Sequence, residues 1–170
     1  AHFGLANSAG TAKEFFEAEK AAVAMASKAS EGERLMILGL DAAAKGDFPG
    51  QKGHYTKLVA AFPNDERAHN LLGGAYFGQQ EWATAITHYE KAVAINPAFS
   101  QPYNQLGYAQ RFLGNYAEAE KAFKKYIELI PDDPNPYDSY AELLMKTGRY
   151  EESIKNYEKA LAVDRNFVAS

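Results

Sequence analysis

Pro63, Pro97 and Pro131 stand 34 residues apart, and that interval governs the chain. Leu38-Gly39, Leu72-Gly73 and Leu106-Gly107 keep the same step. So do Tyr55, Tyr89, Phe123 and Tyr157, and so do Phe48, Trp82, Tyr116 and Tyr150. A fixed period of this size marks a repeat architecture, in which each unit is a supersecondary element that cannot bury its own apolar face alone. Stacked units make a long concave surface whose usual work is to hold another chain. The interval therefore restricts the class of activity and leaves the partner unnamed.

Each unit divides into two helical stretches. In one unit, apolar or small residues recur at helical spacing from Ala68 to Phe77, and Gly78-Gln79-Gln80-Glu81 interrupts them. The pattern resumes from Trp82 to Ile95 with Ala85, Ile86, Tyr89, Ala92 and Val93 on one helix face. Asn96-Pro97 stops it, because proline lacks the amide donor and restricts the residue before it. The next units repeat the plan, with helices expected over 102–112, 116–130, 136–146 and 150–163. Gly114 suits the left-handed conformation that closes a helix. Pro49 suits a first helical turn. The whole chain, 1–170, reads as one solenoid domain with units over 32–65, 66–99, 100–133 and 134–167.

The ends differ. Ala12 to Ala29 reads as one helix, whose Phe15, Phe16, Ala22, Val23 and Met25 would face the next unit. His2 to Ala6 resembles the tail of an earlier helix, with Asn7 to Gly10 as a turn, so 1–31 is expected to be a partial repeat. Asn166 to Ser170 mirrors the lead into a helix at Ala98 to Pro102, so 168–170 is expected to begin a further unit. On this reading the chain is a slice of a longer array, and Ile154, Tyr157 and Leu161 on its last helix lack cover. Association of copies through that end face is the resulting expectation.

Composition narrows the partners. A net charge of −4 argues against an electrostatic nucleic-acid binder. The chain has no cysteine, which removes disulfides and thiolate metal sites and fits either a cytoplasmic or an exported protein. The most apolar window, Leu35 to Leu40, is short and flanked by Glu33, Arg34 and Asp41, so membrane insertion is not expected.

The recurring columns resemble the tetratricopeptide repeat, a helix-turn-helix unit of the same period. Leu72, Gly73, Tyr76, Ala85, Tyr89, Ala92 and Pro97 satisfy nearly all of its pattern. The next unit supplies Leu106, Gly107, Ala119, Phe123 and Pro131, with Gln110 and Tyr126 as departures. The last unit departs further, with Tyr140-Ala141, Ser153 and Arg165. The first has Gln51 at a column of small residues. The likeness covers roughly 32–167 and extends to bacterial, often exported members of undefined activity. It implies an all-α, right-handed α-α superhelical solenoid of helix-turn-helix repeats that acts as a protein–protein interaction scaffold. Gly39, Gly73, Gly107 and Ala141 are small where paired helices cross, and Trp82, Tyr116 and Tyr150 would wedge against the preceding helix.

The resemblance also implies that first helices line the concave face. Its groove columns fall on Arg67, Gln101 and Asn135; on Asn70, Asn104 and Asp138; on Leu40, Gly74, Tyr108 and Glu142; and on Ala43, Phe77, Arg111 and Met145. Two readings of these side chains stand together. They hold a peptide, in extended or helical form, along Asn70, Asn104, Tyr108 and Arg111, where carboxamides meet its backbone and Arg111 meets a carboxylate; or they only solvate an open face. The lysine-and-asparagine clamp by which one subclass grips a chain terminus has no counterpart here. The matching positions hold Met36, Leu40, Leu71, Gln101 and Gln105, or Asn70, Gly74, Gln105, Asn135 and Ser139.

No catalytic motif appears: no G-x-S-x-G, no phosphate-binding loop and no H-E-x-x-H. His54 and His88 share a column, but nothing nearby completes a metal-ligand set, so packing is the expected role; His69, in a column with Leu35, Tyr103 and Tyr137, reads the same way. Asp132 to Pro136 reads as a capping turn rather than a calcium loop. The expected function is thus a non-catalytic scaffold for a peptide or protein segment, without cofactor or metal. The alternative is an assembly element whose repeats pack against their own copies.

Overall fold

The periodic prolines fall just past helix ends in the computed structural model, which describes residues 11–168. Helix α1 spans Ala12–Met25 and runs into a 3-10 turn at Ala26–Lys28. Then come α2 Glu31–Ala44, α3 Phe48–Ala61, α4 Glu66–Gly78, α5 Trp82–Ile95, α6 Ser100–Phe112, α7 Tyr116–Leu129, α8 Asn135–Lys146 and α9 Tyr150–Val163. No strand occurs among the described residues. The architecture is an all-α superhelical solenoid in which α2–α3, α4–α5, α6–α7 and α8–α9 are hairpins that stack in order. The expectations placed on His2 to Gly10 and on Ala169 and Ser170 lie outside the described residues.

Helix starts follow local chemistry. Ser30 and Glu33 form a reciprocal capping box on α2. Asp47 accepts from the Gly50 amide at 2.9 Å, and Asp65 accepts from the Arg67 and Ala68 amides at 2.8 and 3.3 Å. Asp133 accepts from the Asn135 amide at 2.9 Å, so this carboxylate of the acidic turn is occupied by a helix start. Inside each hairpin the chain reverses through a left-handed residue. Gly46, Gly114 and Gly148 take φ of 76°, 78° and 78°. The same step in α4–α5 is filled by Gln80, at φ 62°.

Hairpins close on one recurring contact. Tyr55, Tyr89 and Phe123 are fully buried, each against the small residue of the preceding helix. A Cβ on Gly73 would lie 2.7 Å from the Tyr89 ring, and one on Gly107 2.5 Å from the Phe123 ring; Gly39 faces Tyr55 in the same way. Burying each such ring stabilises the fold by roughly 1.5–3 kcal/mol. In the last hairpin, where Ala141 replaces glycine, the Ser153 hydroxyl donates to the Ala141 carbonyl at 2.8 Å. Adjacent hairpins join through apolar layers, such as Tyr55 and Leu58 against Ala68, Leu72 and Ala75. A second tie repeats with the period. Tyr103 and Tyr137 donate to the carbonyls of Pro97 and Pro131 at 3.2 and 3.0 Å, and His69 meets the Pro63 carbonyl through Nε2 at 3.1 Å.

Two expectations need correction. The N-terminal helix stops being α-helical at Met25, where a 3-10 turn tightens the chain into the extended Ala29 ahead of Ser30. Its docking face is Ala22 and Ala26 with Val23 against Ile37, while Phe16 and Met25 are about half exposed. Trp82 does wedge: its ring is 4.9 Å from that of Phe77 and stacks 4.5 Å from that of Phe112. Tyr116 and Tyr150 do not, being 40% and 64% exposed. The residues at the Phe77 step are there Arg111, engaged elsewhere, and Met145, half exposed, so no ring receives them.

Candidate binding groove

Curvature follows from helix order. Successive first helices touch, α4 with α6 and α6 with α8, while the second helices make no comparable contact. The first helices therefore form the inner layer, and their free faces line the concave side.

Polar side chains cross from repeat to repeat along that layer. Asn70 donates through Nδ2 to Gln101 Oε1 at 3.3 Å. The Tyr108 hydroxyl donates to Ser139 Oγ at 3.2 Å, and Ser139 donates on to Asn135 Oδ1 at 3.3 Å. Arg111 donates to Glu142 at 2.9 Å and lies over the Tyr108 ring, 4.9 Å from its centre. Arg111 is therefore held by its own fold, and a guest carboxylate would have to share it with Glu142.

The sequence-derived columns do not all face one ligand path. Asn70, Gln101, Asn104, Tyr108, Arg111, Asn135, Asp138 and Glu142 all sit on the first helices. Asn70 is bonded to Gln101, and Tyr108, Arg111, Asn135 and Glu142 are joined through Ser139 and the Arg111–Tyr108 contact, while Asn104 and Asp138 stand outside these bonds. Arg67 is turned to its own helix start, bonded to Asp65 at 2.8 Å. Phe77 packs in the ring cluster with Trp82 and Phe112 and also walls a hollow in the inner face. Met145 is half exposed.

The two ends of the groove differ in charge. Toward α8, Asp138 is 8% exposed, and its carboxyl has no hydrogen-bond partner among the described residues. Burial, together with the nearby Glu142, pushes that carboxyl above the usual range. Toward α4 the lining is uncharged. There a hollow of about 330 Å³ opens between α2, α4 and α6, bordered by Leu40, Asn70, Gly74, Phe77, Gln101 and Gln105, with Tyr89 at its floor. The Oδ1 atoms of Asn70 and Asn104, one repeat apart, are both buried without a partner. Sequence columns singled out both asparagines but missed Tyr89, whose role is visible only once its buried hydroxyl is seen.

Elsewhere the polar chemistry is structural. Burial opposes the charge of Glu120, but hydrogen bonds from Lys124, Tyr140 and Arg149 outweigh it and hold the carboxyl down to about 2. This bolts α7 to α8 and to the turn before α9. His88 does not pair with His54, its column mate. Its Nδ1 lies 3.2 Å from Nδ1 of His69, and its ring stacks on Tyr76. No group of three or more potential metal ligands occurs among the described residues. No helix among them is long and apolar enough to cross a membrane.

Family models described as tetratricopeptide repeat match residues 64–132 and 134–167. No curated protein gives a significant match. Among solved structures, one of MamA is 24% identical, covers 90% of this chain and 88% of its own, and superposes with a TM-score of 0.73. Another MamA structure, labelled AMB-1, covers 98% and 96% at 20% identity, with a TM-score of 0.76. TTC0263, a thermophilic TPR protein of Thermus thermophilus, covers 91% and 84% at 22% identity, with a TM-score of 0.77. At this level of identity the likeness shows the fold.

Proposed function

The chain belongs to the tetratricopeptide repeat family, and from that premise we propose that its inner face holds an extended segment of another protein without catalysing any reaction on it. Repeats of this family form protein-interaction scaffolds. The observation that carries the finer reading is the pair of buried, unpartnered acceptors on Asn70 and Asn104, which sit at the same step of successive repeats. A buried acceptor without a donor costs roughly 1–3 kcal/mol. A guest backbone in extended form offers amide donors to such a series. A helical guest has already used its own. Asp138, buried and unpaired at the far end, favours a cationic side chain there.

Selection from a random peptide library on the immobilised protein tests this. Enriched peptides should bind the native chain and lose binding at least tenfold with Asn104→Ala and Arg111→Ala combined. Unchanged affinity in the double variant removes the groove from the account.

A second reading has its own observation. Ile154 and Leu161 on α9 are 56% and 48% exposed, on the one hairpin with no following unit among the described residues. Self-association through that face predicts a molar mass by light scattering that rises with concentration and returns to the monomer value with Ile154→Glu. A strict monomer at every concentration excludes it.

A further inference from the structure

The uncharged hollow at the α4 end holds an orphan donor that the repeat pattern makes conspicuous. Tyr89 is fully buried, yet its hydroxyl has no partner among the described residues. Its counterparts avoid this problem. One repeat earlier, the Gln51 side chain lies beside the Tyr55 hydroxyl and partly offsets the effect of its burial; at the Gln51 step, the Tyr89 hairpin has Ala85. One repeat later the counterpart is Phe123, which has no hydroxyl. Above Tyr89 the covering side chain is missing as well. The groove column that carries Leu40, Tyr108 and Glu142 elsewhere has Gly74 here, and a Cβ built on Gly74 would lie 4.0 Å from the Tyr89 hydroxyl oxygen. The absent side chain opens the hollow beside the hydroxyl, which itself stays buried beneath the lining.

We propose that this hollow is a specificity pocket for an uncharged carboxamide side chain, glutamine or asparagine, of the bound segment. The proposal rests on the groove reading above and adds a residue preference at one point along it. Its floor offers a donor, the Tyr89 hydroxyl. Its rim offers an acceptor, the buried Oδ1 of Asn70. A carboxamide is the amino-acid side chain with a carbonyl for the first and an amide NH₂ for the second. No lining residue carries a charge, so a carboxylate or ammonium would enter without a counter-ion and lose its hydration. An aliphatic side chain would leave both polar atoms unpaired, which is the strongest form of discrimination a polar pocket can exert. Burial pushes the Tyr89 phenol well up, so its proton stays in place as the donor.

The test uses three blocked amino acids as probes: N-acetyl-glutamine, N-acetyl-glutamate and N-acetyl-leucine, each as its N-methylamide. They are titrated into the ¹⁵N-labelled chain while the Gly74 and Gly78 amides are followed. The glutamine probe should give saturable shifts there, with the glutamate and leucine probes at least tenfold weaker. Tyr89→Phe should lower glutamine binding about tenfold without lowering the melting temperature, since Phe123 already fills that column. Gly74→Leu should abolish the response. It should also keep the fold, because leucine is the residue of this column at position 40 and exceeds glycine in helix propensity. Gly74→Ala should retain most of the response. No saturable shift with the glutamine probe, as expected if water alone occupies the hollow, overturns the proposal, as does an equal response to all three probes. Library peptides that depend on Asn104 and Arg111 but are indifferent to Gly74→Leu would overturn the pocket and leave the groove standing.

Discussion

The rings of His69 and His88 meet nitrogen to nitrogen, Nδ1 to Nδ1 at 3.2 Å, across α4 and α5. The proton positions follow from the neighbour. A carbonyl oxygen only accepts, so His69 carries its hydrogen on Nε2, toward Pro63. Its Nδ1 is then the acceptor, and His88 donates. The pair is thus a structural relay between a helix-terminating proline and the second helix.

Stability should depend on pH through this pair. Burial first, and the neighbouring His69 second, push the His88 imidazole below its ordinary 6.5. As pH falls below about 6.5 the unfolded chain takes up a proton that the folded chain resists, so stability declines. The urea midpoint should fall between pH 7.5 and 5.5. It should fall less in His88→Gln, which can still donate to His69 but does not titrate. Equal slopes in the two proteins would show that His88 contributes nothing to the dependence.

Carboxylate linkage runs at lower pH. Glu120 is held down to about 2 against an ordinary value near 4.5. Its stabilising contribution is complete above the upper value and is lost as pH falls toward the lower one. Water screens the cluster, so the contribution is about 1 kcal/mol or less. Glu120→Gln should flatten acid unfolding across that window, and an unaltered acid limb would contradict the account.

Gln80 stands where Gly46, Gly114 and Gly148 stand in the other hairpins, with the same left-handed backbone. That conformation costs a residue with a Cβ roughly 1–2 kcal/mol, offset in part by glycine's greater freedom when unfolded. Gln80→Gly should therefore stabilise the chain by about 0.5–1 kcal/mol in chemical denaturation. A loss of stability would mean that Gln80 makes a contribution its backbone does not reveal.

The crossing of paired helices can be tested at Gly107, where an added Cβ would lie 2.5 Å from the Phe123 ring. Although alanine is the better helix former, Gly107→Ala should destabilise by about 1–3 kcal/mol through overpacking. Gly53, which has open space around its Cβ position, is the control, and Gly53→Ala should be neutral or stabilising.

Much of this was legible because a repeat states its rules several times. Helices Trp82–Ile95 and Tyr150–Val163 have the bounds that periodicity and turn residues imply. The glycine-to-aromatic crossing is readable for the same reason, since Gly39, Gly73 and Gly107 each precede an aromatic by the same interval. What failed to follow from the columns lay in departures from them. Tyr116 and Tyr150 share a column with Trp82 but lack its neighbouring rings, so they are exposed. His88 shares a column with His54 but is claimed by His69, which lies opposite it in the same hairpin. The Tyr89 hydroxyl is orphaned by two absences, the missing amide at Ala85 and the missing side chain at Gly74, and no single column displays both.

The central claim is that the inner layer of first helices is where a guest lies. It is tested most directly by ¹⁵N amide-shift mapping with the strongest library-selected peptide. The account predicts shifts concentrated on α4, α6 and α8, including Asn70, Asn104 and Asp138. Shifts concentrated on the outer helices α5 and α7, or on α9 alone, would contradict it.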